Sequence, residues 1–270
     1  MAYSFSLAFL TLFDVSPSEA VEIAAKTGFS HVGFRLLPSA SEGLYPLMTD
    51  DKVFKETRAA MQDTGIKLAD IEIVRLGEAF CVEDTFRFLE RGAVLGAKNE
   101  LVAGDDADEA RLIENYGEFC EAAHHYGMTA DLEFMPWTKV PNIASALRVV
   151  DGANQSNGGV LIDALHYHRA GMKPQDVKTI DPNWLHYVQF CDAMAEFDPT
   201  TEGLIHIARQ ARLNPGEGEI DLVSLLQAIP DEMVLSIEVP NFDYAKKQSP
   251  TERASRALDG MKSIIEKAQS

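Results

Sequence analysis

Four apolar runs between residues 129 and 240 are each interrupted by one side chain that can bind a metal or move a proton. Glu133 interrupts TADLEFM, Asp163 interrupts VLIDALH, Gln189 interrupts HYVQFCDA and Glu238 interrupts LSIEVP. Continuous apolar runs are typical of strands buried on both faces, so we expect these side chains to be buried. A buried carboxylate needs a partner, and for a single residue the usual partner is an Arg side chain or backbone N–H groups.

Together these residues predict a metal site. Three carboxylates around one axis repel one another, and a divalent cation relieves that repulsion. Only Arg35 and Arg75 lie on strand-like runs where they would offset the acids. The oxygen donors favour Mn²⁺ or Mg²⁺, with Co²⁺ or Zn²⁺ as the other candidates. The predicted ligands are Glu133, Asp163, Gln189 and Glu238, although the Gln189 amide has the alternative of bonding only the backbone.

Further residues near these strand ends suit a catalytic site. His166 follows Asp163 by three residues and has three possible roles: another ligand, a general acid or base, or a core histidine. Trp137 and Phe9 are candidates for an apolar wall against a sugar-like ring, and core packing is the alternative for Phe9. Asp192 either supports the metal ligands from behind or caps the loop that follows it.

The segment RQARLNPGEGEIDL, residues 209–222, is a second candidate for substrate binding. Gly216 and Gly218 flank Glu217 and precede a predicted helix, so backbone N–H groups are available there for an anionic or hydroxylated group. Arg209 and Arg212 lie in the same segment. We predict that Arg209, Arg212 and Glu217 contact substrate, although a glycine-rich entry to a helix is common.

The elements that position these residues repeat along the chain. An amphipathic stretch, a Gly and a short apolar run recur roughly every 30 residues, the size of one strand–helix unit. The glycines are Gly28, Gly65, Gly96 and Gly127, each expected to end a helix in a left-handed conformation. Further strands are predicted at 4–11, 158–166, 185–193 and 233–240, and helices at 16–27, 50–64, 82–95, 108–126, 142–152, 173–180, 219–229 and 250–268.

Eight such units predict a (β/α)₈ TIM barrel that forms a single domain over residues 1–270. The main alternative is a doubly wound open sheet. No GxGxxG motif follows the first strand, which weakens the dinucleotide-binding version of that alternative.

Composition excludes several classes of function. The chain has 24 Lys plus Arg against 42 Asp plus Glu, a formal charge of −18. Such acidity argues against nucleic acid and against an anionic membrane surface as partners. The three cysteines contain no CxxC pair, and the apolar N-terminus has neither a basic region nor a cleavage site typical of a signal peptide. We expect a cytoplasmic protein.

The sequence resembles the xylose isomerase-like TIM barrels, a group of sugar isomerases, epimerases and dehydratases. The matching pieces, in chain order, are DLEF, GVLIDALHYHRAG, HYVQFCDA, NPGEGEIDL and LSIEV. The resemblance implies one divalent metal bound by Glu133, Asp163, the strand 7 residue and Glu238. Many sugar epimerases of the family have His where this chain has Gln189. The VQFCDA and PGEGEID segments are more similar to bacterial 3-dehydroshikimate dehydratases, although the His used by some dehydratases is absent from Met135-Pro136-Trp137.

The predicted activity is isomerisation or epimerisation of a small sugar-like hydroxy-carbonyl compound. A metal-bound carbonyl acidifies the neighbouring C–H, and Glu133, Glu238 or His166 would move the proton. One alternative is a dehydratase of the 3-dehydroshikimate type, which shares the first half of this chemistry. Another is a non-catalytic barrel that acts as a binding protein. The expected partner is a small polyhydroxylated molecule, and a homo-oligomer stays open.

Overall fold

A closed barrel of eight parallel strands forms the centre of the molecule. The computed structural model describes residues 3–39 and 42–270. The strands follow one another around the barrel in chain order, and the first pairs with the last, Ser6 opposite Ser236. They are β1 (Ser4–Leu7), β2 (His31–Arg35), β3 (Lys67–Leu76), β4 (Asn99–Gly104), β5 (Thr129–Glu133), β6 (Gly158–Asp163), β7 (Tyr187–Phe190) and β8 (Val234–Ile237). This closed order confirms the predicted (β/α)₈ barrel and excludes the open sheet.

Helices surround the barrel and connect its strands. They are α1 (Pro17–Thr27), α2 (Pro46–Thr49), α3 (Asp51–Thr64), α4 (Phe86–Leu95), α5 (Glu109–His125), α6 (Ile143–Ala153), α7 (Ala164–Arg169), α8 (Pro174–Val177), α9 (Thr201–Gln210), α10 (Leu222–Leu226), α11 (Phe242–Lys247) and α12 (Pro250–Gln269). In the part of the chain that the structure describes, no helix combines the length and apolarity needed to cross a membrane.

In the second half, the predicted end of one strand was wrong and one helix was not predicted. The run predicted as a strand over 158–166 leaves the sheet at Asp163, whose side chain accepts a hydrogen bond from the His166 N–H and so begins α7. A capping carboxylate therefore ends the strand despite the apolar residues that follow it. The interval between β7 and α10, which carried no helix prediction, contains α9.

Helix ends agree well with the sequence. Ser16 caps α1 by accepting a hydrogen bond from the Glu19 N–H, and Pro17 is the first helical residue. Gly28, Gly65 and Gly96 end α1, α3 and α4 with φ of 95°, 76° and 88°. These are left-handed conformations that favour glycine, as the repeat predicts.

The main hydrophobic core lies between the barrel and the helices, whereas the interior of the barrel is partly polar. A small apolar cluster inside the barrel contains Ile73, Leu101, Ala103, Met135, Leu161 and Tyr187. In TIM barrels, side chains point inward in layers of four from alternate strands. One such layer, below the carboxyl ends of the strands, consists of Ser6, Asp70, Asp131 and Tyr187, and we call it the polar layer.

Glycines make room for the acids of the polar layer. A Cβ atom on Gly33 would lie 2.7 Å from Asp70 Oδ2, and one on Gly159 would lie 2.7 Å from Asp131 Oδ1. Asp131 also accepts a hydrogen bond from Thr129 and lies 2.6 Å from His186 Nδ1. The polar layer thus depends on small residues in neighbouring strands.

Candidate active site

The four predicted metal ligands meet at one end of the barrel. Glu133 and Asp163 are the last residues of β5 and β6, Gln189 lies in β7, and Glu238 directly follows β8. Their exposed fractions are 4%, 0%, 1% and 3%, so all four are buried. Asp163 pairs with Gln189 across neighbouring strands. The carboxyl ends of the strands are where TIM-barrel active sites form.

Arg212 lies between two of these acids. Its Nη1 forms an ion pair with Asp163, and its Nη2 lies 3.1 Å from Glu238 Oε2. The side chain is 3% exposed, and its Nε donates to the Ala208 carbonyl. From the sequence, only the strand residues Arg35 and Arg75 were predicted to offset the carboxylate charges. Here the base comes instead from the segment after α9, and it offsets one of the three carboxylate charges.

Short bridges to neighbouring segments hold Arg212 in place. The Arg212 N–H donates to the Pro240 carbonyl, and Asn241 Nδ2 donates to the Arg212 carbonyl. Leu213 forms an antiparallel bridge with Asp192. The Asp192 carboxylate accepts hydrogen bonds from backbone N–H groups of the loop that follows it, those of Ala193, Gly216 and Ile220. Of its two predicted roles, Asp192 therefore has that of a cap on this loop.

His166 lies against the carboxylates from the first turn of α7. Its Nε2 is 3.5 Å from Glu133 Oε1, and its Nδ1 is 3.9 Å from Asp163 Oδ1. One ligand atom from each of these three residues lies within 4.8 Å of the others, a spacing that suits a common ion. Burial and the nearby Arg212 lower the pKa of His166 to about 4, so the ring is neutral at pH 7. The Trp137 ring contacts it edge-on, at 4.9 Å between centroids.

Burial and mutual repulsion shift the carboxylate pKa values apart. Burial raises the pKa of Glu133 well above its usual range, and Asp163 and Glu238 raise it further. Burial also raises the pKa of Glu238 to about 7. Burial opposes ionisation of Asp163 too, but Arg212 beside it outweighs burial and lowers its pKa. The site thus contains one firmly ionised acid and two that resist ionisation without a further positive charge.

Gln189 provides an observation that fits a bound cation. Among residues 3–39 and 42–270, neither its Oε1 nor its Nε2 has a hydrogen-bond partner, although the residue is buried. An unsatisfied buried polar group costs about 1–3 kcal/mol. Gln189 lies opposite Asp163 on the neighbouring strand, and one Arg does not neutralise three carboxylates. Three carboxylates, an amide oxygen and a neutral imidazole are a donor set that fits a divalent cation.

A cavity at this end of the barrel has both acidic and basic side chains in its lining. The lining includes Glu133, Trp137, His166, Arg212 and Glu238, together with Arg35, Glu72, Arg75 and Arg209. Arg35 and Glu72 form a buried ion pair of 2.6 Å across β2 and β3. Glu72 was not among the predicted site residues, although it interrupts the apolar run IEIV in the same way as Glu133 interrupts its own strand.

The predicted substrate residues separate in the structure. Trp137, Arg209 and Arg212 line the cavity. Glu217 does not reach it, and this prediction needs correction. Its carboxylate accepts hydrogen bonds from Asn214 and Tyr244 and pairs with Arg256 of α12, so it fastens the loop to the outer helices.

Comparisons with known proteins agree with this architecture. The chain is 28% identical over 134 residues to the inosose isomerase of Bacillus subtilis (strain 168), which is 48% of this chain and 46% of that protein. It is 26% identical over 170 residues to the 3-dehydroshikimate dehydratase of Pseudomonas aeruginosa, 61% of this chain and 25% of that protein. The matches thus span about half or less of the length of these curated relatives. Both relatives are enzymes.

Solved structures show the same fold over the whole chain. The structure of the IOLI protein with a binding zinc atom superposes with a TM-score of 0.80 at 19% identity, over 98% of this chain and 99% of that one. The family model described as xylose isomerase-like TIM barrel matches residues 21–265. With its closed barrel and its acids at the strand ends, this chain belongs to the xylose isomerase-like TIM barrel family.

Proposed function

We propose that this protein is a divalent-metal-dependent isomerase or epimerase of a small polyhydroxylated carbonyl compound. The observation that carries the proposal is the buried set of Glu133, Asp163, Gln189 and Glu238 at the ends of four consecutive strands, with a Gln189 amide that has no hydrogen-bond partner among the described residues. The similarity to inosose isomerase supports a cyclic or open-chain polyol ketone as substrate. These four residues would hold the ion.

A divalent cation bound there would polarise a substrate carbonyl and acidify the neighbouring C–H. The chain's own residues would then move the proton. The His166 ring is neutral at pH 7, and its Nε2 lies 3.5 Å from Glu133 Oε1, so the imidazole is suited to accept the proton. Glu133 would be a second acceptor once the charge of the cation favours its ionised form. Trp137 packs edge-on against His166 and would limit the access of water to the ring. Two acceptors at different positions suit return of the proton to another face or another carbon.

A dehydratase is the second candidate, and a specific observation favours it. The match to 3-dehydroshikimate dehydratase is the longer of the two described, at 170 residues. Loss of a β-hydroxyl after the same proton removal would give dehydration rather than epimerisation. The two activities would thus use the same acids and differ in the position of the leaving hydroxyl.

Glu238→Gln tests the role of the acids. We expect this variant to fold normally but to lose metal and at least about 100-fold in turnover, since both binding and the transition-state charge depend on it. The measurement is elemental analysis together with turnover of ketoses, inosose-like cyclitols and 3-dehydroshikimate, with Mn²⁺, Mg²⁺ and Co²⁺ supplied. Glu118→Gln, at an exposed position of α5, is the matched control.

Full metal content and full turnover in Glu238→Gln would contradict the proposal. Wild-type protein that contains no metal after purification without chelator, gains none on addition and turns over no compound of the panel would favour a binding protein instead. The product of an active wild type distinguishes isomerisation from dehydration.

A further inference from the structure

Among the described residues, one arginine of the cavity has no counter-ion. Arg209 is half-buried in the last turn of α9 and lines the cavity beside Arg35 and Arg75. Arg35 pairs with Glu72 at 2.6 Å, Arg75 pairs with Asp105 at 2.7 Å, and Arg212 pairs with two acids. Among the residues that the structure describes, no carboxylate lies within ion-pair distance of Arg209.

The position of Arg209 is costly without an anion. Burial lowers its pKa, and the positive charges of Arg35 and Arg75 lower it further, by more than the charge of Glu42 offsets. Glu42 lies in the loop between β2 and α2, and its carboxylate already accepts hydrogen bonds from Ser39 N and Oγ. An unpaired guanidinium in such a place has donors and charge available for a ligand.

A second observation points to a ligand in the same cavity. Arg35 is 8% exposed, and its Nε has no hydrogen-bond partner among residues 3–39 and 42–270. This unused donor is on a side chain that lines the same cavity as Arg209. Planar guanidinium groups match the oxygens of carboxylates and phosphates.

We propose that Arg209, flanked by Arg35, binds an anionic group of the substrate, a carboxylate or a phosphate, in the cavity that Glu133 and Glu238 also line. The inference deepens the proposed function and depends on it for the reacting end of the substrate. It divides the candidate compounds by charge: acidic hydroxy-ketones fit the cavity better than neutral cyclitols. Arg209 is then a specificity-determining residue.

Arg209→Gln in metal-loaded protein tests this proposal by isothermal titration calorimetry. The probes are 3-dehydroshikimate as the carboxylate, inorganic phosphate as the phosphate and scyllo-inosose as the neutral compound. We expect Arg209→Gln to weaken binding of an anionic probe by about tenfold or more, as for loss of one charge-assisted contact, and to change binding of the neutral probe less than about twofold. Arg209→Lys should recover part of the loss, and the exposed Arg58→Gln should lose nothing.

The anion whose binding weakens in Arg209→Gln identifies the substrate group as a carboxylate or a phosphate. Equal losses for neutral and anionic probes, or no loss for either anion, would overturn the proposal. Metal content is measured in the same samples. Normal metal in Arg209→Gln with no anion effect defeats only this inference, whereas absence of metal in the wild type defeats the proposed function.

Discussion

Glu100 brings a carboxylate into the apolar layer between the barrel and the helices. Its neighbour Leu101 belongs to the cluster inside the barrel, and side chains alternate along a strand, so Glu100 points outward toward the helices. It is fully buried, and neither oxygen has a hydrogen-bond partner among the described residues. Burial raises its pKa well above the usual range, and the Asp131 charge adds to this effect.

Glu100→Gln should make stability less dependent on pH. Because its pKa is raised on folding, the folded state binds the proton more tightly than the unfolded state does. The free energy of unfolding therefore falls as pH rises from the ordinary Glu pKa to the folded one. Gln does not titrate and so removes this loss. We expect the free energy of unfolding of Glu100→Gln at pH 8 to exceed that of wild type by about 1–3 kcal/mol, the scale of a buried unsatisfied group.

Urea unfolding at pH 5, 7 and 8 measures this effect. Glu114→Gln, at an exposed position of α5, should follow the wild-type curve at each pH. The interpretation fails if Glu100→Gln has the same pH dependence as wild type.

At the level of elements, α12 packs closely on the loop that carries Glu217. A Cβ atom on Gly260 would lie 2.3 Å from the Pro215 carbonyl oxygen, closer than any real contact. We expect Gly260→Ala to push helix and loop apart and to lower the free energy of unfolding by about 1–3 kcal/mol. Chemical denaturation provides the measurement.

Gly117 is the matched control for Gly260. It is also helical, within α5, but an added Cβ would meet only ordinary contacts, the nearest at 3.8 Å from Ala153 Cβ. Gly117→Ala should be neutral or stabilise the protein by up to about 1 kcal/mol through helix propensity. Equal changes in both variants would show that contact with the loop at Pro215 is not what makes Gly260 necessary.

The elements that the sequence predicts well are those with local signals. Gly28 and Gly96 end helices because few residues tolerate left-handed φ, and the acids at strand ends interrupt long apolar runs. Arg212 could not be recognised as a partner of Asp163 because its position depends on bridges between distant segments, such as that of Ala211 with Asn241. The contact of Glu217 with α12 depends on helix docking in the same way.

At the level of the whole molecule, the charge of −18 acts against compactness. Buried acids such as Asp131 and Asp163 have partners, but the remaining excess lies mostly on the surface and repels itself. Raising NaCl from 10 to 150 mM shortens the screening length to about 8 Å and should raise the free energy of unfolding. Urea titrations at both salt levels, repeated with choline chloride, measure this. A lower free energy of unfolding at the higher concentration of both salts would contradict self-repulsion as the dominant effect.

The polar layer also affects how stability changes with temperature. Ser6, Asp70, Asp131 and Tyr187 fill a level of the barrel that aliphatic side chains usually occupy. Unfolding therefore exposes more polar and less apolar surface from the interior than it does in a barrel of Val, Ile and Leu. Apolar exposure raises the heat capacity of unfolding and polar exposure lowers it. The curve of unfolding free energy against temperature is consequently flatter and broader for this barrel than for one of equal size with an aliphatic interior.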